Sequence, residues 1–324
     1  MPGQPDVGDV HVNQPLSMLS IAYANAEDSF IADEVFPTVP VGKQSDIIAK
    51  YDRDMWLRSQ AVVRAPGTLA ARSGFTVNTA STYFARNFAI GMGVADEERD
   101  NADQVFNLDA DAVEWCMQQI LLAREVAFAT AAFGTSKWTT DRSGTTNFTK
   151  WSDYANSTPI EDIRTYKRTV RQIIGRDPNV LAMGSIVWDR LADHPDMLDR
   201  IKGAASTGNP AIVTRQLVAS VLELETVAVG KALQVTSAEG ATEARADILD
   251  DDALLVFRPS SPSLKKPSGG YGFHWAAAVA PGAASFIRRY REDSKKLTVV
   301  EAHSYFDYKI TAADAGLFLN DAVD

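Results

Sequence analysis

A single cysteine, Cys116, stands among 324 residues, so the chain can form no internal disulfide and no multi-cysteine zinc site. A reducing compartment is therefore expected, with Cys116 packing as a small hydrophobe. No glycine-rich phosphate loop runs into Lys-Ser/Thr, no GxGxxG follows a strand, and HExxH and GxSxG are both missing, which leaves nucleotide, dinucleotide, zincin and serine-hydrolase chemistry without a signature. The four histidines, His11, His194, His274 and His303, are scattered without metal-ligand spacing. His194, just before Pro195, reads as a capping or packing residue. No apolar run is long enough to span a bilayer, and Met1 to Val12 lacks the basic start and apolar middle of a signal peptide. The expectation is a soluble protein made in the cytoplasm, with no membrane contact and no cofactor. Positive charge is also scarce. A net charge of -10 argues against a surface that grips nucleic acid along its length, because neutralising phosphates needs clustered cations. A mildly negative wall is instead suited to enclosing a polyanion without adhering to it.

What is present has an unusual order. The first hundred residues contain no long amphipathic helix. A polar arm runs to about Ala32, with a short helical possibility at Leu16 to Ala26. The strip Val35-Phe36-Pro37-Thr38-Val39-Pro40-Val41 follows, too rich in proline to sit inside a sheet and suited to lying in a groove. Ser45 to Val94 then reads as two strand-like arms around the turn signal Ala65-Pro66-Gly67. On the returning arm Phe84, Phe88, Ile90, Met92 and Val94 share one face. Two strands alone are marginal in water, so a ribbon of this length is expected to lie on another domain or another subunit.

Asn107 can cap a helix running to Phe133, with Asp109 and Asp111 in its first turn and Ala112, Cys116, Ile120, Ala123 and Ala127 as its buried stripe. Glu114, Arg124 and Glu125 on that helix read as salt-bridging positions. Thr158-Pro159-Ile160-Glu161 combines a capping box with proline at the first helical position, and Gly175 ends that helix. A buried strand at Val180 to Met183, a helix near Ile186 to Ala192, a loop from Ala204 to Pro210, a helix from Thr214 and strands near Glu225 to Val229 and Ala253 to Phe257 make a compact α/β module. A loop from Pro259 to Gly272 carries Lys265 and Lys266. Strand chemistry returns at Ser285 to Tyr290, Leu297 to Ile310 and Gly316 to Asn320, and these late strands are expected to pair with the strand before the long helix. Asp247 with Asp250-Asp251-Asp252 is the one dense carboxylate cluster, without the spacing of a calcium loop. Arg288, Arg289 and Arg291 with Lys295 and Lys296 form the main basic patch, matched to acidic neighbouring subunits.

This order resembles that of tailed-bacteriophage major capsid proteins, the Hong Kong phage-type shell fold. The likeness is carried by Ile31 to Val41, Tyr51-Asp52-Arg53, Arg64-Ala65-Pro66-Gly67, Val94 to Asn101, Leu191-Ala192-Asp193-His194-Pro195 and Ala315-Gly316-Leu317-Phe318. It implies an α+β fold with an N-terminal arm over residues 1–40, an extended loop over 41–94, a peripheral domain with a long spine helix over 95–179, an inserted axial domain over 180–281 and returning peripheral strands over 282–324. It also implies a non-enzymatic subunit forming the hexamers and pentamers of an icosahedral head around double-stranded DNA, within a virion, with scaffold, portal and decoration proteins as further partners. Phe36, Trp56, Arg58, Arg64, Arg288, Arg289 and Arg291 are the expected subunit-interface residues. The alternatives are an encapsulin-like compartment holding cargo enzymes, a soluble hydrolase using Asp250 to Asp252, and a tail-tube subunit, which the long helix fits poorly.

Overall fold

The computed structural model describes residues 25–102, 107–204, 213–262, 266–276 and 285–324. Most of the segment expected to be helical at Leu16 to Ala26, most of the loop 204–210, and Lys265 lie outside them.

In chain order, a 3-10 turn (Glu27–Ser29) precedes a one-turn helix α1 (Ala32–Val35), strands β1 (Thr38–Val41) and β2 (Ser45–Tyr51), and a short helix α2 (Arg53–Leu57). Strands β3 (Val77–Phe84) and β4 (Arg86–Ala95) lead through α3 (Asp96–Asn101) into the long helix α4 (Leu108–Ala132). Then come β5 (Thr140–Ser143), α5 (Pro159–Ile174), β6 (Val180–Gly184), α6 (Ser185–Ala192), α7 (Pro195–Ala204) and α8 (Arg215–Leu222). Eight strands complete the described residues: β7 (Thr226–Gly230), β8 (Leu233–Val235), β9 (Arg245–Asp247), β10 (Ala253–Val256), β11 (Gly270–Trp275), β12 (Phe286–Glu292), β13 (Leu297–Ile310) and, after a 3-10 turn, β14 (Gly316–Asn320).

The first sheet is built on β13. Residues Leu297 to Phe306 pair with β4 along one edge, while β12 and then β11 follow each other along the opposite edge. The alternation of β13 decides what this sheet covers: Val300, Ala302, Phe306 and Tyr308 point to one face and are buried. Helix α4 lies across that face, with Ala112 beside Val94 and Val300, and Cys116 and Ile120 beside Ala302. The start of α4 is set as its sequence predicts, by the Asn107 side chain accepting from the Ala110 amide at 3.2 Å.

The second sheet has the order β5-β14-β10-β6-β7 and is covered on both faces. Leu181, Met183, Leu255, Leu317 and Leu319 face helices α5 to α8, while Val180, Ala182, Leu254, Val256 and Phe318 face Phe36, Phe128 and Trp138. Burial on both sides explains why these strands read as continuous apolar runs.

Several expectations change. The ribbon is shorter than the span from Ser45 to Val94, because β2 pairs only with β3 and the returning arm breaks at buried Ala85, whose amide donates to the Gln44 carbonyl at 2.8 Å. Phe84 is consequently half exposed, while Phe88, Ile90 and Met92 pack against α4. The proline strip does join a sheet: β1 runs parallel to β11 at the edge, where the donor missing from Pro40 is tolerated. The sheets also cross the division at residues 180 and 281. Strand β11 belongs to the first sheet and β14 to the second, since each continues the register of a strand far away in sequence. At the start of α5 the Thr158 side chain makes no capping bond, and Pro159 alone supplies the expected helix-start chemistry.

The C-terminal half of α4 holds a polar knot that ties α1 to the first sheet. Glu125, 1% exposed, accepts from the amides of Ile31 and Ala32 at 3.1 and 3.0 Å, capping α1. Arg124 donates to Asp33 at 2.6 Å and to the Tyr308 hydroxyl at 3.3 Å, and that hydroxyl donates to Asp33 at 3.0 Å. Burial lifts the Glu125 carboxyl from an ordinary 4.5 to about 7, against the two amide bonds that favour its ionised form. The folded chain therefore keeps a proton that the unfolded chain releases, and stability present below about 4.5 is lost as pH rises through about 7. Replacing Glu125→Gln keeps an acceptor for α1 and removes the titration. The variant is expected to gain on the wild type by up to about 3 kcal/mol between pH 5 and pH 8, measured by urea unfolding; parallel pH profiles would contradict this.

Candidate assembly surfaces

The extended loop is built around its base. Asp52 caps α2 through the Asp54 amide at 3.0 Å, accepts from the Thr76 hydroxyl at 3.2 Å, and its own amide donates to the Thr76 carbonyl at 3.1 Å. These bonds close the chain before and after the tip. Tyr51, Trp56 and Phe75 form an aromatic triangle with ring centroids 5.6 to 6.0 Å apart. The base is moored to its own subunit by Arg53, whose guanidinium lies 2.9 Å from Asp314.

Beyond that mooring the loop has little to rest on. All twenty residues from 61 to 80 are exposed, among them Val62, Val63, Leu69 and Phe75, and Trp56 is 55% exposed. A type II-like turn at Ala65 to Thr68, with Gly67 at φ 81°, closes the tip as its Pro-Gly signal predicts. From Met55 to Ala95 the chain has four arginines, Arg58, Arg64, Arg72 and Arg86, and no acidic residue. Arg58 and Arg64 are exposed and have no carboxylate partner among the described residues. An apolar, cationic segment held away from its own core is a surface seeking an acidic, partly apolar counterpart.

Phe36 does not belong to such a surface. It is fully buried, edge-on to Phe128 at 5.2 Å and to Trp138 at 6.4 Å, and the close approach of Gly270 leaves no room for a side chain there. The basic patch also finds partners within its own chain. Arg291 makes a two-pronged pair with Asp96, and Arg289 and Arg99 share Asp109 at 2.7 and 2.8 Å. Hydrogen bonds from Arg291 hold Asp96 below the usual carboxylate range. Arg288 lies 5.5 Å above the Tyr290 ring. The patch thus clasps β12 to the starts of α3 and α4, because Asp96 and Asp109 are the nearest acids.

No group of three His, Cys, Asp or Glu residues is arranged to hold a metal among the described residues. Asp252 instead accepts from the Asp321 amide at 3.0 Å, its carboxyl pushed up to about 6 by burial. Asp247 accepts from Ser185 at 3.2 Å. His194 is buried and caps α7, its Nδ1 accepting from the Asp196 amide at 3.2 Å and its Nε2 lying 2.9 Å from the Ser157 hydroxyl. Arg124 makes the salt bridge expected of it, with Asp33, but the burial of Arg124 and Glu125 and their partners in α1 and β13 were not expected from the sequence. The signal for that burial was two adjacent charges inside the apolar run Ile120 to Phe133.

No protein-family model matches the chain. It is 30% identical over 316 residues to the major capsid protein of Pseudomonas phage JBD67, covering 96% of this chain and 97% of that one. It is 26% identical over 319 residues to the major capsid protein of Burkholderia phage BcepMu, covering 95% and 96%. Among solved structures, a phage-related protein from Bordetella bronchiseptica RB50 superposes with a TM-score of 0.69 over 92% of this chain and 94% of that one, at 22% identity.

The different settings of Phe36 and Trp56 give a direct expectation. Phe36→Ala should cost about 3 to 5 kcal/mol of subunit stability in urea unfolding. Trp56→Ala should stay within about 1 kcal/mol of the wild type. Equal losses would contradict the placement of Trp56 outside the core.

Proposed function

The chain belongs to the major capsid proteins of tailed phages, and on that premise we propose that it builds the hexamers and pentamers of an icosahedral head enclosing double-stranded DNA. The observation that carries the assembly part of this reading is the exposure of residues 61 to 80 on a loop with an ordered base. A segment with Trp56, Val62, Val63 and Leu69 in the open costs solubility on a solitary molecule and gains burial on a neighbour.

Within this reading Trp56, Arg58 and Arg64 are the loop's anchors on the adjacent copy, since interface energy concentrates in aromatic and arginine side chains. Arg288, Arg289 and Arg291 serve a neighbour only secondarily, their charge being already shared with Asp96, Asp109 and the Tyr290 ring. The N-terminal segment acts as an arm, residues 45–84 as the reaching loop, and the sheet with α4 as the wall. The subunit is made in the host cytoplasm, and portal, scaffold and decoration proteins complete the head. Both sequence relatives are phage capsid proteins, which favours a genome-filled head over a cargo compartment.

Negative-stain microscopy of the purified chain tests the reading, with closed particles expected. Trp56→Ala should lower particle yield several-fold while the melting of the subunit stays within a few degrees of the wild type. A wild-type protein that remains a monomer at all concentrations would contradict the proposal.

A further inference from the structure

Helix α5 presents a face unlike the rest of this acidic chain. From Arg164 to Arg176 the sequence contains five cations and no acid. Ile163, Tyr166 and Val170 turn into the core. Lys167 turns inward as well, its ammonium donating to the carbonyls of Leu222 and Glu223 at 2.8 and 2.7 Å. Arg164, Arg168 and Arg171 remain exposed and recur at steps of four and three, so they share one side of the helix. The helical rise places the first and last roughly 10 Å apart.

Arg171 comes no closer than 3.7 Å to Asp177, and Arg164 and Arg168 have no carboxylate partner among the described residues. This contrasts with the first sheet, where Arg289 and Arg291 each meet an acid. The mounting is firm. Pro159 opens the helix, left-handed Gly175 at φ 71° closes it, and its apolar side is sealed against the second sheet.

The chemistry of the face selects its partner. Thr165 and Gln172 stand exposed beside the arginines, and no large apolar side chain of α5 is exposed. Arginine anchors of protein interfaces work beside buried aromatic or aliphatic contacts, and this face has no exposed large apolar side chain to provide them. Arginine, threonine and glutamine donors without apolar contact are what a phosphate backbone is held by. We propose that the Arg164, Arg168 and Arg171 face of α5 is a sequence-independent contact for the phosphate backbone of duplex DNA. This inference rests on the reading of the chain as the wall of a DNA-filled head. It gives an otherwise repellent wall one discrete point of adhesion, weak and sensitive to salt.

The test uses the full-length protein, wild type and Arg164→Gln/Arg168→Gln/Arg171→Gln, titrated with two short fluorescent duplexes of unrelated sequence between about 50 and 200 mM salt. A polyglutamate peptide is titrated in parallel, and every sample is imaged for particles. The wild type should bind both duplexes alike. The triple variant should flatten the dependence of log K on log salt by about 2 to 3, from three lost phosphate contacts. If the triple variant fails to fold, Arg168→Gln alone should flatten it by about 1. Duplex binding with an unchanged slope overturns the inference. So does polyglutamate binding more tightly than duplex and being lost in the variant, which would assign the face to an acidic protein. Particles in both proteins with unaltered DNA binding would sink this inference and leave the capsid reading intact. A wild type without particles would sink the capsid reading, while the slopes would still decide the surface.

Discussion

The architecture depends on the burial of two adjacent charges, Arg124 and Glu125, on the inner half of α4. Both are more than nine-tenths buried, and neither faces solvent as most helical Arg and Glu residues do. Glu125 supplies the acceptor that the opening amides of α1 need, and Arg124 ties Asp33 of α1 to Tyr308 of β13. Removing Asp33 or Tyr308 would leave the buried Arg124 guanidinium short of partners with little water to replace them. With α1 pinned in this way, Val35 and Phe36 fall into the core between the two sheets, and β1 is delivered to the edge of β11.

The elements that could be read from the sequence were those governed by local rules. Asn107 and the stripe of Ala112, Cys116 and Ile120 marked α4, and Pro159 with Gly175 marked α5. The alternation along Leu297 to Ile310 marked β13, and its pairing with the strand before the long helix followed from their shared half-buried pattern. What escaped was set by distant partners. Ala85 breaks a strand because the body claims Phe88 to Val94 for α4 and releases Phe84. Strand β14 sits in the second sheet because of its register with β10 and β5, which nothing local encodes. Phe36 in the proline strip and Trp56 on the loop were both expected at the subunit interface. Only the packing of Phe128, Trp138 and Gly270 around the first separates them.

The same physics divides the charges. On the first sheet the arginines of β12 are matched by Asp96 and Asp109, so they brace the wall. Beyond Arg53 on the loop and Arg171 on α5, the exposed Arg58, Arg64, Arg164 and Arg168 have no carboxylate partner among the described residues, and the loop adds exposed aromatic and aliphatic side chains while α5 does not. The two unmatched surfaces therefore suit different partners, a neighbouring copy for the loop and a polyanion for the helix.

The central claim is that the loop beyond α2 completes its burial on an adjacent copy. Hydrogen exchange of residues 61–80, compared between dissociated subunits and intact particles, tests it most directly. The account predicts amides that exchange freely in the subunit and become strongly protected in the particle, while α4 is protected in both. Free exchange across 61–80 within closed particles would contradict it.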